Sequence, residues 1–148
     1  MESSMSKMNA AYSEPIIDNS KVTFRGYQRD ADYPLILSII LKSAQTDQVI
    51  ETASLEDIKN WCAPSDRFDS TQDISFAVLE NKGGEPSVIG FSRVSWYTGM
   101  KATRLYTQAS YLLPEGRDQG IWPVMVRQNE SRLTITSQIP WSLPSGSR

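Results

Sequence analysis

The chain has 148 residues, 39% of them hydrophobic, with 15 Lys and Arg against 17 Asp and Glu, one cysteine and no histidine. That length and apolar share fit one soluble globular domain, and a net charge of -2 gives no general grip on nucleic acid or an anionic membrane. Without histidine there is no Ser-His-Asp or Cys-His nucleophile pair, no histidine-ligated zinc and no imidazole base. The lone Cys62 can close neither an intrachain disulfide nor a Cys-x-x-Cys metal site, which fits a reducing cytoplasm.

Met1 to Ser20 lacks the apolar core of a signal peptide, and no stretch approaches the roughly 18 apolar residues of a membrane span. The expected location is cytoplasmic. Residues 1–20, rich in Ser, Met and Asn and broken by Pro15, read as a flexible leader. Val22 to Gln28 then alternates as a strand does, with Gly26 weakening it. Asp30 or Asp32 is placed to cap a helix over Tyr33 to Gln45, with Pro34 in its first turn and Ile36, Ile40 and Ala44 on one face.

Ser54 followed by Asp57 imitates a capping box and opens a second helix on which Leu55, Ile58 and Cys62 share a face, ended by Pro64. Three strands follow: Ile74 to Glu80, Ser87 to Thr98 after the Asn81-Lys82-Gly83-Gly84 turn, and Thr103 to Leu113 after Gly99. Their succession predicts an antiparallel meander. A last helix is predicted from Gln119, with Pro123 tolerated in its first turn and fraying near Thr134, where β-branched residues accumulate before Pro140. Residues 136–148, Ser-, Pro- and Gly-rich beyond Trp141, read as a loose tail. The expected class is α/β (α+β), a mostly antiparallel sheet flanked by helices in the order β-α-α-β-β-β-α, occupying residues 21–135.

The segment Pro114-Glu115-Gly116-Arg117-Asp118-Gln119-Gly120-Ile121-Trp122 is a polar loop with two glycines between an apolar strand and a helix N-terminus. Backbone NH groups and the helix dipole bind phosphate at such places, although the same arrangement often has a purely structural origin.

Arg117-x-x-Gly120-x-Trp122 with the preceding Pro114-Glu115 resembles the central motif of the GNAT superfamily, the acetyl-CoA-dependent N-acetyltransferases. That motif is Gln or Arg, two residues, Gly, one residue, then Gly or Ala. The order of strand, two helices and a three-strand meander is also the family's. Phrases such as Ala31-Asp32-Tyr33-Pro34, Val88-Ile89-Gly90-Phe91-Ser92-Arg93-Val94, Thr103-Arg104-Leu105-Tyr106 and Arg127-Gln128-Asn129-Glu130-Ser131-Arg132-Leu133 resemble the N-terminal half of bacterial tandem-domain GNAT proteins, over about Val22 to Leu133.

The resemblance implies that backbone NH groups of Asp118, Gln119, Gly120, Ile121 and Trp122 face the pyrophosphate of acetyl-CoA, with Arg117 opening the loop. It implies that Ser110, Tyr111, Leu112 and Leu113 offer backbone to the pantetheine arm as an added strand would. Acetyl-CoA is then a co-substrate, the acceptor an amine of a small molecule or peptide, and no metal, nucleic acid or membrane is involved. The sequence also departs from the pattern. Trp122 stands where Gly or Ala permits close approach of the pyrophosphate, Pro123 removes a donor, and the strand from Thr103 to Leu113 carries no Asp or Glu to serve as a base.

About 15 residues follow Leu133, too few for the remaining strands and helix of that fold. A relic, a piece of a longer chain, a homodimer completed across an open sheet edge, and a strand formed by Leu133 to Ile139 beside Thr103 to Leu113 all stay open. So does a degenerate, non-catalytic module that dimerises or binds a partner.

Among other candidates, Trp96, Tyr97, Tyr106 and Tyr111 could line an acceptor pocket or pair across strands. Arg93 and Arg104 could hold an acidic substrate or cover a solvated sheet face. Glu80 and Asp73 are the carboxylates nearest the meander, and Cys62 reads as a buried helix residue rather than a nucleophile. The catalytic residues are unassigned.

Overall fold

The computed structural model describes residues 16–17, 20–65, 67–81 and 83–137. They form a five-stranded antiparallel sheet with its strands in chain order: β1 (Ile16–Ile17), β2 (Ser20–Gly26), β3 (Ile74–Glu80), β4 (Ser87–Thr98) and β5 (Arg104–Leu112). Between β2 and β3 lie α1 (Asp32–Thr46), α2 (Leu55–Trp61) and the single turn α3 (Ser70–Asp73); α4 (Ile121–Ser137) follows β5. The expected α+β class and meander are observed.

The sheet sits between two helical layers. On one face Phe76 and Phe91, both fully buried, pack with Ile36, Ile39 and Ile40 of α1 and Ile58 of α2. On the other, Val22, Ala77, Ile89 and Leu112 receive Ile121 and Met125 of α4. Period-2 alternation along the strands and period-3.6 spacing on the helices divide the apolar residues between these faces. Each buried aromatic or aliphatic side chain contributes about 1.5–3 kcal/mol relative to exposure.

Polar ties fix the helices to the sheet. Arg25 on β2 donates through both terminal nitrogens to Asp32 at the start of α1, at 3.1 and 2.8 Å. Arg93 on β4 donates to the carbonyl of Trp61 at the end of α2, and Arg132 on α4 donates to Asp73 at 2.7 Å. Asn129, buried on α4, donates to Gln108 and Ser110 of β5.

Several expectations are corrected. The predicted leader over residues 1–20 overlaps real structure, because Ile16–Ile17 pairs with Ser20 and Lys21 as β1; residues 1–15 lie outside the described residues. The first long strand ends at Gly26 rather than Gln28, where the chain passes so close to α3 that a Cβ would stand 2.6 Å from the Thr71 carbonyl oxygen. Neither Asp30 nor Asp32 caps α1. Its N-cap is Ala31, without a side-chain bond, while Asp32 accepts from the upstream NH groups of Gln28 and Arg29.

The Ser54–Asp57 capping box is present in both directions, but Leu55 lies outward, and α2 stops at Trp61 with Cys62 as its C-cap. Helix α4 continues to Ser137 instead of fraying, so a strand over Leu133 to Ile139 is overturned for Leu133–Ser137. The β-branched residues are accommodated because Thr134 and Thr136 return their hydroxyls to the carbonyls of Glu130 and Arg132. Gln138, Ile139 and the remaining tail lie outside the described residues. No helix among the described residues is long and apolar enough to cross a membrane.

Candidate functional site

A cavity of about 460 Å³ opens where the C-terminal end of α1, the end of β5 and the start of α4 meet. Ser110, Tyr111 and Leu112 form its strand wall, Arg117 and Asp118 its loop wall, and Trp122 its helix wall; Ser43 and Asp47 of the α1 end close the other side.

The end of β5 is positioned by β4. Leu112 pairs with Gly90 and Tyr111 with Phe91, and the Tyr111 ring stacks on Phe91 with centroids 5.1 Å apart and planes 17° from parallel. Ser110 faces the α4 side, sharing a 2.9 Å hydrogen bond with Ser92 and accepting from Asn129. Within the five-stranded order β5 is a terminal strand, so its outer backbone groups have no strand partner among the described residues.

After β5 the chain makes a 3-10 turn over Pro114–Gly116, in which Gly116 and Arg117 donate their NH groups to the carbonyls of Leu113 and Pro114. Asp118 and Gly120 then adopt positive φ, 61° and 80°, a conformation that glycine tolerates freely and aspartate more readily than most residues. The NH groups of Asp118, Gln119 and Gly120 have no backbone acceptor among the described residues. Ile121 and Trp122 lie in the first turn of α4, whose NH groups have no partner within the helix itself. The loop therefore presents several NH groups near the positive end of a 17-residue helix.

The side chains oppose this. Arg117 donates its Nε to the Leu112 carbonyl and grips Asp47 with both terminal nitrogens, at 2.6 and 3.1 Å. The Arg117 guanidinium beside Asp47 holds its carboxyl below the usual carboxylate range. With Asp118, the cavity wall carries two carboxylates against one guanidinium. Ser43 adds another feature: its hydroxyl oxygen is buried and has no hydrogen-bond partner among the described residues, a state that costs about 1–3 kcal/mol unless a ligand or water satisfies it.

Of the ten residues expected at the cofactor site, Ser110, Tyr111, Leu112, Arg117, Asp118 and Trp122 line this cavity. Leu113 and Ile121 are buried in the two core clusters, and Gln119 and Gly120 lie exposed in the loop between them. Trp122, 48% exposed, stands on the wall. Ser43 and Asp47 were not foreseen; a serine late in an amphipathic helix and an aspartate just after it carry no local mark of a cavity.

The other sequence candidates are sorted by position. Of the four aromatics, Tyr111 lines the cavity, while the guanidinium groups of Arg67 and Arg104 lie over the Trp96 ring at 5.4 and 4.2 Å, and Tyr97 and Tyr106 are exposed. Arg93 does not cover a solvated face: it packs over Phe68 and Trp61 at 4.2 and 4.7 Å. Glu80 accepts from the Thr23 hydroxyl at the far end of β3, and Asp73 is held by Arg132 and the Asp69 NH, so neither lines the cavity. Cys62 is fully buried, and burial pushes its thiol up despite the nearby Arg93 charge. No group of three or more metal-ligating side chains occurs among the described residues.

The sequence matches no family model and no curated protein. Among solved structures it is similar to a GCN5-related N-acetyltransferase from Sphaerobacter thermophilus, with a TM-score of 0.60 over 82% of this chain at 19% identity. The fold is GNAT-like. The chain spans about a third, 34%, of that structure's length.

Proposed function

We propose that this GNAT-like domain binds acetyl-CoA and transfers the acetyl group to a primary amine of a small molecule or peptide in the cytoplasm. The observation that carries the reading is the coincidence, at one 460 Å³ cavity, of an unpaired strand end, loop NH groups and the unsatisfied Ser43 hydroxyl. An extended pantetheine arm with two amides suits the open edge of β5 as an added strand does. The pyrophosphate suits the donors of Asp118 to Trp122 at the start of α4. These features fit the co-substrate, while the Asp47 and Asp118 carboxylates and the Trp122 indole work against its anionic end.

In such a transfer the neutral amine nitrogen attacks the thioester carbonyl carbon, the C–S bond breaks, and the proton lost by the amine passes through a base or water to the departing thiolate, which leaves as coenzyme A thiol. This chain supplies strand and loop backbone to orient the thioester; the proton acceptor is unassigned. The resemblance to the N-terminal half of tandem-domain proteins belongs to the same proposal, and a match spanning 34% of the solved neighbour is compatible with it.

A second reading is a non-catalytic GNAT-like module that pairs with a copy or partner along β5. It is favoured by the engagement of Arg117 with Asp47, which takes the one cation of the cavity wall away from an incoming phosphate. The two readings separate in a thiol-release assay, in which acetyl-CoA and a panel of primary amines are followed with a thiol reagent. Amine-dependent release supports transfer; release no faster than the amine-free control for every amine, in protein that binds coenzyme A, supports the second reading.

A further inference from the structure

A second cavity, of about 300 Å³, shares Tyr111 with the first. Its walls are Ile40, Ile58, Trp61 and Tyr111, and two carboxylates, Glu51 and Asp57, border it; no cationic side chain is among the lining residues described. We infer that this cavity selects a monocationic amine carrying a flat aromatic or compact apolar group, and that it is the acceptor subsite of the transfer proposed above, on which reading the inference rests.

The two carboxylates are fixed by backbone rather than by counter-charges. Glu51 accepts through one oxygen from the NH groups of Thr52 and Ala53. Asp57 accepts through one oxygen from the Ser54 NH in the capping box. Neither forms an ion pair among the described residues, and each bonded arrangement names a single carboxylate oxygen, which leaves the other for an ammonium. An anionic ligand would meet two like charges without compensation; a cation neutralises them.

The aromatic walls decide the body of the ligand. Tyr111 is clamped against Phe91, and Trp61 is held edge-on to Phe91 at 6.1 Å with Arg93 over its ring at 4.7 Å. Both rings are therefore rigid surfaces, suited to a flat apolar group. The Arg93 donors are engaged by the Trp61 carbonyl and the Ser95 hydroxyl, so the guanidinium does not reach into the cavity as a lining group. Tyr111 lines both cavities, so the two adjoin at that residue.

The test is ligand-observed NMR on the full chain without acetyl-CoA, using three probes: 2-phenylethylamine, phenylacetate with the same body and opposite charge, and spermidine with charge but no ring. The inference expects 2-phenylethylamine to bind more tightly than either of the others. Glu51→Gln is expected to weaken it about threefold or more, as an exposed charge pair allows. Ser54→Ala, which loosens the capping box and keeps both carboxylates, is expected to leave affinity within about twofold if the protein remains folded, as judged by circular dichroism.

Equal or tighter binding of phenylacetate, an unchanged affinity in Glu51→Gln, or no binding of the amine overturns the inference. Coenzyme A binding at the first cavity is measured separately, so a protein that binds coenzyme A but not the amine refutes this subsite and leaves the transferase reading standing.

Discussion

Gly90 sets the approach of β4 to the cavity end of β5, and Gly90→Ala tests whether that approach is as tight as the geometry implies. A Cβ at position 90 would stand 2.7 Å from the carbonyl oxygen of Tyr111 and 2.9 Å from a methyl of Leu112. Ordinary contact needs about 3.4 Å or more, so β5 must retreat by roughly 0.7 Å or the ladder must tilt. The obstacle is ladder backbone rather than a side-chain end, which places the cost in the upper part of the overpacking range, about 2 to 3 kcal/mol. For a chain of this length that lowers Tm by roughly 4 to 12 °C, measured by thermal unfolding followed with far-UV circular dichroism. Gly120→Ala is the contrast: no atom lies within 4 Å of its added Cβ, and the φ of 80° alone resists the change, at about 1 kcal/mol. A Gly90→Ala protein that melts within about 2 °C of the parent, or no earlier than Gly120→Ala, would refute the reasoning.

Three further outcomes follow from particular contacts. Asp32 is almost fully buried; burial opposes its ionisation, but bonds from Arg25 and the NH groups of Gln28 and Arg29 outweigh that and lower its pKa. Its contribution is thus complete above the unfolded carboxyl's range and fades as pH falls below about 4. Asp32→Asn should cost about 2 to 4 kcal/mol at neutral pH, with the 26% exposure of Arg25 limiting the loss, and should flatten the acid limb of a urea-midpoint against pH profile; an unchanged profile contradicts the assignment. Trp122→Gly removes an indole from the cavity wall and should tighten coenzyme A binding in calorimetric titration, whereas equal or weaker binding rejects occlusion by that ring. Cys62 should react with a thiol reagent only on unfolding, and rapid labelling of the native protein would contradict its burial.

Local signals carried much of the fold. Strands β3 and β4 lie over the expected residues, Ile74–Glu80 and Ser87–Thr98, because alternation and the Asn81-to-Gly84 turn are written within a few positions. The Ser54–Asp57 box is likewise a local signal, its partners three positions apart, and is observed bond for bond. Long-range features were hidden. Asp47 meets Arg117 across 70 positions, and Ser43 reaches the cavity only because α1 crosses the end of β5. The persistence of α4 through Thr134 and Thr136 was misjudged because propensity counts the β-branch and not the hydroxyl that bonds back to the helix. The loop carries no local mark of the carboxylate opposite it, since Asp47 comes from another layer.

The cavity at the junction of α1, β5 and α4 is the proposed acetyl-CoA site. Thermal unfolding with and without the ligand tests it directly, because a ligand that binds only the native state must raise its stability, by about 2.7 kcal/mol at a hundredfold excess over Kd. We predict a concentration-dependent rise in Tm with acetyl-CoA and with coenzyme A. No rise at any attainable concentration of either would mean that this cavity does not bind acetyl-CoA.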